Sequence, residues 1–205
     1  MTNQKTIADI SLLGGHPALD FANTVDCRSE RWGPDFLNTP NDLVTWARRV
    51  DLIDEDERTV LRSNAMKSPS KAQKELIHAR ALREALHRIF LTESEESSVG
   101  EADLALLNNV VQSAQTKRKL FSVAGRIEWQ HSPAEHLDAT ADRIGWVAAE
   151  LLTSKGERRP IRACQGPNCG WLFLDLSRNG HRRWCSDQTC GSHARVRKFR
   201  AVRSA

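Results

Sequence analysis

Cys164, Cys169, Cys185 and Cys190 carry the most specific chemistry in this 205-residue chain, reading C-x4-C, fifteen intervening residues, then C-x4-C. Thiolates are soft ligands, and four of them at roughly 2.3 Å complete the tetrahedral shell of Zn²⁺. Two pairs, each closed by a short loop and set a hairpin's length apart, can point at one centre. The expectation is one structural zinc, because four thiolates leave no open position for a catalytic water. The pairs are spaced more widely than the commonest C-x2-C form, and disulfide pairing is the alternative. Cys27 stands alone and reads as an ordinary half-buried residue.

The residues around the cysteines indicate what the metal module would meet. Residues 156–205 hold eleven Lys/Arg against three acids, a net +8, whereas the whole chain is only +4. The first 155 residues are therefore net acidic by about four charges, and the basic segment calls for a polyanion. Arg195, Arg197, Lys198, Arg200 and Arg203 follow the last cysteine at helical spacing, with Val196, Phe199 and Val202 on one stripe expected to pack on the finger's hairpin. A basic helix anchored this way can lie along phosphates or enter a groove. Arg178, Arg182 and Arg183, between the cysteine pairs, add candidate phosphate contacts. Trp171 and Trp184 read as packing residues first and base-stacking residues second.

Several elements must position this module. Thr39-Pro40-Asn41-Asp42 opens a helix with an N-cap, a proline in the first turn and an acid behind it, and Asp54 with Glu57 makes a capping box for the next. From Ser70, the residues Ala72, Leu76, Ala79, Leu82, Leu86 and Phe90 mark one apolar face of a long helix. Ser98 with Glu101 and Ser132 with Glu135 are two further capping boxes. Residues 117–130 alternate around Ala124-Gly125 and predict a β-hairpin. The domain boundary falls at 156/157, giving a helical unit over 1–156 and a metal module over 157–205. Within the module, Ile161–Ala163, Trp171–Leu174 and Arg182–Trp184 are expected as strands, the last two paired, and a helix runs from about Thr189. Knuckle, hairpin and a helix supplying the last ligand amount to treble-clef geometry.

Cys169-Gly-Trp-Leu-Phe-Leu-Asp175-Leu-Ser177-Arg178-Asn179, then Arg182-Arg183-Trp184-Cys185-Ser186, then Cys190-Gly191 and a basic helix, resemble the CGNR zinc finger. Gly14-Gly15-His-Pro-Ala-Leu19-Asp20-Phe21-Ala-Asn23-Thr24 resembles the signature of the ABATE domain that precedes it in that family. The resemblance spans nearly the whole chain. It implies a mainly α N-terminal domain with a β-hairpin, a small α+β treble-clef-like finger, bound Zn²⁺, DNA binding and a bacterial stress-responsive transcription regulator. One departure stands out, because the Asn-Arg that names the family is Ser192-His193 here. A histidine is mostly neutral at pH 7, where arginine is a permanent cation.

The expected function is a zinc-dependent DNA-binding regulator whose N-terminal domain senses a small molecule or forms a homodimer. A protein-interaction adaptor and an RNA-binding protein are the alternatives. His16, Asp20 and Asn23 are candidate ligand-pocket residues, with turn fixing and helix capping as the competing role. An enzyme is not expected: His181 and His193 flank the second cysteine pair, but only Asp175 and Asp187 lie near, too few acids for a catalytic metal. Hydrophobic content of 40% with 27% charged residues suits a folded, soluble chain. Neither a signal-peptide pattern nor an eighteen-residue apolar run is present, and thiols spaced for metal suit a reducing compartment, so a cytoplasmic protein without membrane partners is expected.

Overall fold

The computed structural model describes residues 5–28 and 32–203. Helix α1 (Pro17–Ala22) is followed by α2 (Pro40–Arg49), α3 (Glu55–Lys67), the 27-residue α4 (Pro69–Glu95) and α5 (Glu101–Thr116). The hairpin β1 (Arg118–Val123) and β2 (Arg126–His131) comes next, then α6 (Ala139–Thr153). Strands β3 (Ile161–Ala163) and β4 (Leu172–Leu174), a π-helical turn at Asp187–Gly191 and α7 (Ser192–Arg203) complete the chain. This is the mainly α unit with a hairpin, and the small α+β unit after it, that the residue pattern predicts. No helix among the described residues is long and apolar enough to cross a membrane.

Local rules hold where the chain is left to itself. Thr39 and Asp42 exchange capping bonds at the start of α2, and Asp54 and Glu57 do the same for α3. Both boxes satisfy orphan amides of the first helical turn. The predicted face of α4 is buried in full, from Ala72 to Phe90, and from Leu76 onward it joins the core that holds Trp46, whose ring lies 5.0 Å from Phe21.

Two expected capping boxes do not form. Gly100 takes the N-cap of α5, so Glu101 stands at N1 instead of the N3 position from which it would reach back to Ser98. The helix expected from Ser132 begins only at Ala139, because tertiary bonds hold the intervening loop. Glu57 Oε1 accepts the Ala134 amide at 2.9 Å, and Arg143 donates to the Ser132 carbonyl at 3.0 Å and to Glu57.

The metal module is built differently from the sequence expectation. β4 pairs antiparallel with β3, in register Ile161↔Leu174 to Ala163↔Leu172, and the two strands flank the first cysteine pair. Residues 182–184 are irregular. Arg182 explains this, since it turns inward to bond carbonyls of its own loop instead of extending along β4.

Ile161, Leu172 and Leu174 belong to the same apolar core as α1, α4 and α6. The module is thus welded to the helical unit along both strands of its hairpin. The Asn23 amide clamps the β4 backbone, accepting from Leu172 N and donating to Leu172 O, both at 2.8 Å. Trp171 Nε1 donates to the Val25 carbonyl at 2.7 Å, and Leu174 N donates to the Gly14 carbonyl at 2.9 Å. Glu93 at the end of α4 takes the Ile161 amide while paired with Arg158.

Candidate metal centre and the basic surface around it

The four cysteine sulfurs lie within 4.8 Å of one another. Cys169 and Cys185 Sγ are 3.7 Å apart, and Cys185 and Cys190 Sγ are 3.6 Å apart. Sulfurs at the corners of a tetrahedron of radius about 2.3 Å are separated by about 3.8 Å, so the cage fits Zn²⁺ and is far too open for disulfides of about 2.05 Å. Cys164 follows β3 directly, and Cys169 is brought back toward it through left-handed Asn168 and Gly170. Cys185 precedes the π-helical turn, and Cys190 lies within it.

The surroundings favour thiolate at Cys164. Gly166 N and Cys185 N point at Cys164 Sγ, at 3.4 and 3.2 Å. The Cys164 thiol is pulled well down by hydrogen bonds from Cys169 and Cys185 and then by these amides, while sharing bonds with it pushes Cys169 and Cys185 up. Four thiols so packed cannot all ionise unless a cation joins them, and a divalent metal removes that conflict. Residue 166 must be glycine, because a Cβ there would stand 2.6 Å from Cys190 Cβ and 2.8 Å from its sulfur. These residues hold a single structural zinc.

His16, Asp20 and Asn23 are committed to the scaffold. His16 Nδ1 caps α1 by accepting from Ala18 N at 3.2 Å, and Asp20 Oδ1 accepts from Gly14 N at 2.8 Å. Burial pushes the Asp20 carboxyl up to about 6, against the amides of Gly14 and Leu13 that draw it down. Gly14 has no room for a side chain, since a Cβ would meet Leu19 Cβ at 2.8 Å and Asp20 N at 2.9 Å. The Gly-Gly…Asp…Asn signature therefore shapes the cradle into which β4 docks.

The basic residues divide into two groups. Arg182 is internal: it donates to the carbonyls of Trp184 (3.0 Å), Cys185 (2.5 Å), Leu174 and Leu13 (both 3.4 Å), and stacks on Phe173. Arg195 is exposed but paired with Asp187 at 2.9 Å. Arg178, Arg183, Arg197, Lys198, Arg200 and Arg203 are exposed, the last lying 5.5 Å over the Phe199 ring. Trp171 is core, while Trp184 is half-buried between Arg183 and Arg195.

Helix α7 buries no residue at all. Val196, Phe199 and Val202, expected against the hairpin, are instead open to solvent. The expected partner strand over 182–184 does not form, and Ile161, Leu172 and Leu174 of β3–β4 are taken up by the helical core.

Sequence reasoning overlooked a small cleft of about 220 Å³ beside the first knuckle, lined by Ser94, Arg162, Gln165, His181, Arg182 and Arg183. Asp175, weighed from the sequence only as a carboxylate near the histidines, is fully buried and organises the turn after β4 by accepting from Ser177, Arg162 and the Arg182 amide. One signal was present, because Asp175 is the lone acid among the basic residues between 158 and 186. The buried set on α4 was missed too: Arg83 forks onto Asp35 at 2.7 Å, and His87 Nε2 meets the Gly170 carbonyl at 2.9 Å.

Comparison with known families agrees with this geometry. A family model, ABATE, described as "Putative stress-induced transcription regulator", matches residues 15–155, and the CGNR zinc finger matches residues 160–203. No curated protein matches the chain. With its core signature forming the cradle and its four cysteines forming the cage, the chain belongs to the ABATE family and ends in a CGNR zinc finger.

Proposed function

We propose that this protein is a transcription regulator that grips DNA through the zinc finger and α7. The observation that carries the reading is the exposed basic helix: α7 fully buries none of its side chains and holds four arginines and a lysine, in a segment of net +8. A basic helix with no fully buried side chain is suited to lie in a groove or along phosphates. The cleft lined by Arg162, His181 and Arg183 has room for a phosphate group and extends the cationic surface away from α7. Sensing would fall to the helical unit, where a cavity of about 430 Å³ is lined by Lys117, His131, Glu135, His136, Asp142 and Arg143. Its size is that of a small-molecule pocket.

Binding of duplex DNA should depend steeply on salt. Contact with about five phosphates gives a log–log slope of about −4 to −5. Replacing Arg197, Lys198 and Arg200 together by alanine should weaken binding to all sequences and flatten that slope. A second reading, a protein-interaction adaptor, is favoured by the open Val196–Phe199–Val202 stripe. Absent or salt-independent DNA affinity would select the adaptor, and preference for single-stranded RNA over duplex DNA would select an RNA binder.

A further inference from the structure

The β1–β2 hairpin is anchored at its base and bare along its length. At the base, the Arg118 side chain is 9% exposed and lies 3.9 Å over the Trp146 ring of α6. Beyond that, every residue from Lys119 to Gln130 is exposed. The ladder runs in unbroken register from Arg118↔His131 to Val123↔Arg126, with no bulge. Cross-strand partners share a face, so Leu120, Ile127 and Trp129 line one side at 56, 70 and 58% exposure. Phe121 and Val123 line the other at 40 and 39%.

A two-stranded ribbon is marginal in water, and stability needs further strands or a packed face. The two edges also differ. β2 carries Arg126 and Glu128 along its length, the charges by which natural sheets protect an exposed edge. β1 has its charges, Arg118 and Lys119, only at the stem, followed by the uncharged run Leu120-Phe121-Ser122-Val123. β1 is the unprotected edge.

We propose that this hairpin is a dimerisation arm, in which β1 pairs antiparallel with β1 of a second copy about a two-fold axis near Phe121. Such pairing yields a four-stranded sheet in the order β2-β1-β1-β2, with the charged β2 strands outermost. It sets the Arg118 and Lys119 pairs of the two copies at opposite ends, so no like charges face across the ladder. A two-fold contact closes on itself, which stops association at two. Leu120, Phe121 and Val123, the apolar side chains on β1 itself, are 56, 40 and 39% exposed and would gain cross-strand apolar neighbours from the second copy. The inference goes beyond the DNA reading and is tested without DNA, so either can fail alone.

The experiment is sedimentation equilibrium on the full chain and on F121E and F121K, with zinc content and circular dichroism as folding controls. The wild type should be a dimer, and each variant alone should dissociate at least a hundredfold more readily, since like charges then meet at the axis. An equimolar mixture of the two variants should recover the dimer, which a misfolded arm would not do. A wild type monomeric at high micromolar concentration overturns the proposal, as does a dimer indifferent to both substitutions, or a mixture that stays monomeric. Loss of DNA affinity in the variants of a monomeric protein would also overturn it, assigning the hairpin to nucleic acid instead.

Discussion

Replacing Asn23 by alanine should damage the protein out of proportion to the three side-chain atoms removed. Asn23 is 1% exposed and serves both backbone groups of Leu172, itself fully buried, through bonds of 2.8 Å. Truncation leaves a buried N–H and a buried C=O without partners, each costing about 1–3 kcal/mol. The sum, about 2–6 kcal/mol, is a large part of a total stability of about 5–15 kcal/mol. For a chain of this size it corresponds to a fall of about 4–24 °C in Tm. Because β4 is tied to the first cysteine pair, zinc should also become more labile. The assay is urea denaturation followed by tryptophan fluorescence, together with the rate of zinc transfer to a chromogenic chelator. Asn23→Asp is the informative companion: it keeps the acceptor for Leu172 N–H, but turns a carboxylate oxygen toward Leu172 C=O. It should therefore lose as much stability as alanine. A loss below about 1 kcal/mol for Asn23→Ala, with zinc release unchanged, would refute the view that this side chain welds the finger to the helical unit.

Other consequences follow from the same structure. Cys185→Ser should release the zinc and unlock residues 177–203 in hydrogen exchange, while β3 and β4, held through Ile161, Leu172 and Leu174, keep their protection; uniform loss of protection across the chain would contradict this. Acid should destabilise the fold in two steps. His131, driven down to about 4 first by burial and then by Arg143 and Arg118, is held neutral, so its contribution is full above pH 6.5 and is lost between 6.5 and 4. Glu57, which burial would raise but Arg143 and the Asp54 and Ala134 amides hold at about 2, contributes fully above pH 4.5 and loses that contribution between 4.5 and 2. Thermal melts across pH should show the upper step shrink in His131→Gln, leaving the share of His87, which burial also drives down to about 4, and the lower step shrink in Glu57→Gln. Finally, His193 is exposed at the start of α7, and His193→Arg, which restores the family residue, should tighten DNA binding by about 0.5–1.5 kcal/mol if phosphate lies within reach; equal affinities would mean that the position faces away from DNA.

The zinc cage was legible in the sequence because its determinants are local. Two short loops suffice to bring each cysteine pair together, and no other thiol competes at that spacing. The capping boxes at Thr39 and Asp54 and the apolar face of α4 were legible for the same reason, since a helix is specified within a few turns of itself. The signature around Asp20 and Asn23 marked the N-terminal unit, yet nothing near it revealed that Asn23 serves a backbone 149 residues away. Tertiary contacts also overruled local grammar at Ser98 and Ser132, where a shifted helix start and the Glu57–Arg143 pair took the chain elsewhere. They drew Arg182 inward, which removed the expected third strand and left the apolar stripe of α7 uncovered. Residue types and spacing thus determined the metal, the helices and the sign of the surface charge. Which arginines remain at the surface, and how the finger joins the helical core, was decided only when distant segments competed for the same buried hydrogen-bonding groups, and that competition has no signature within any one segment.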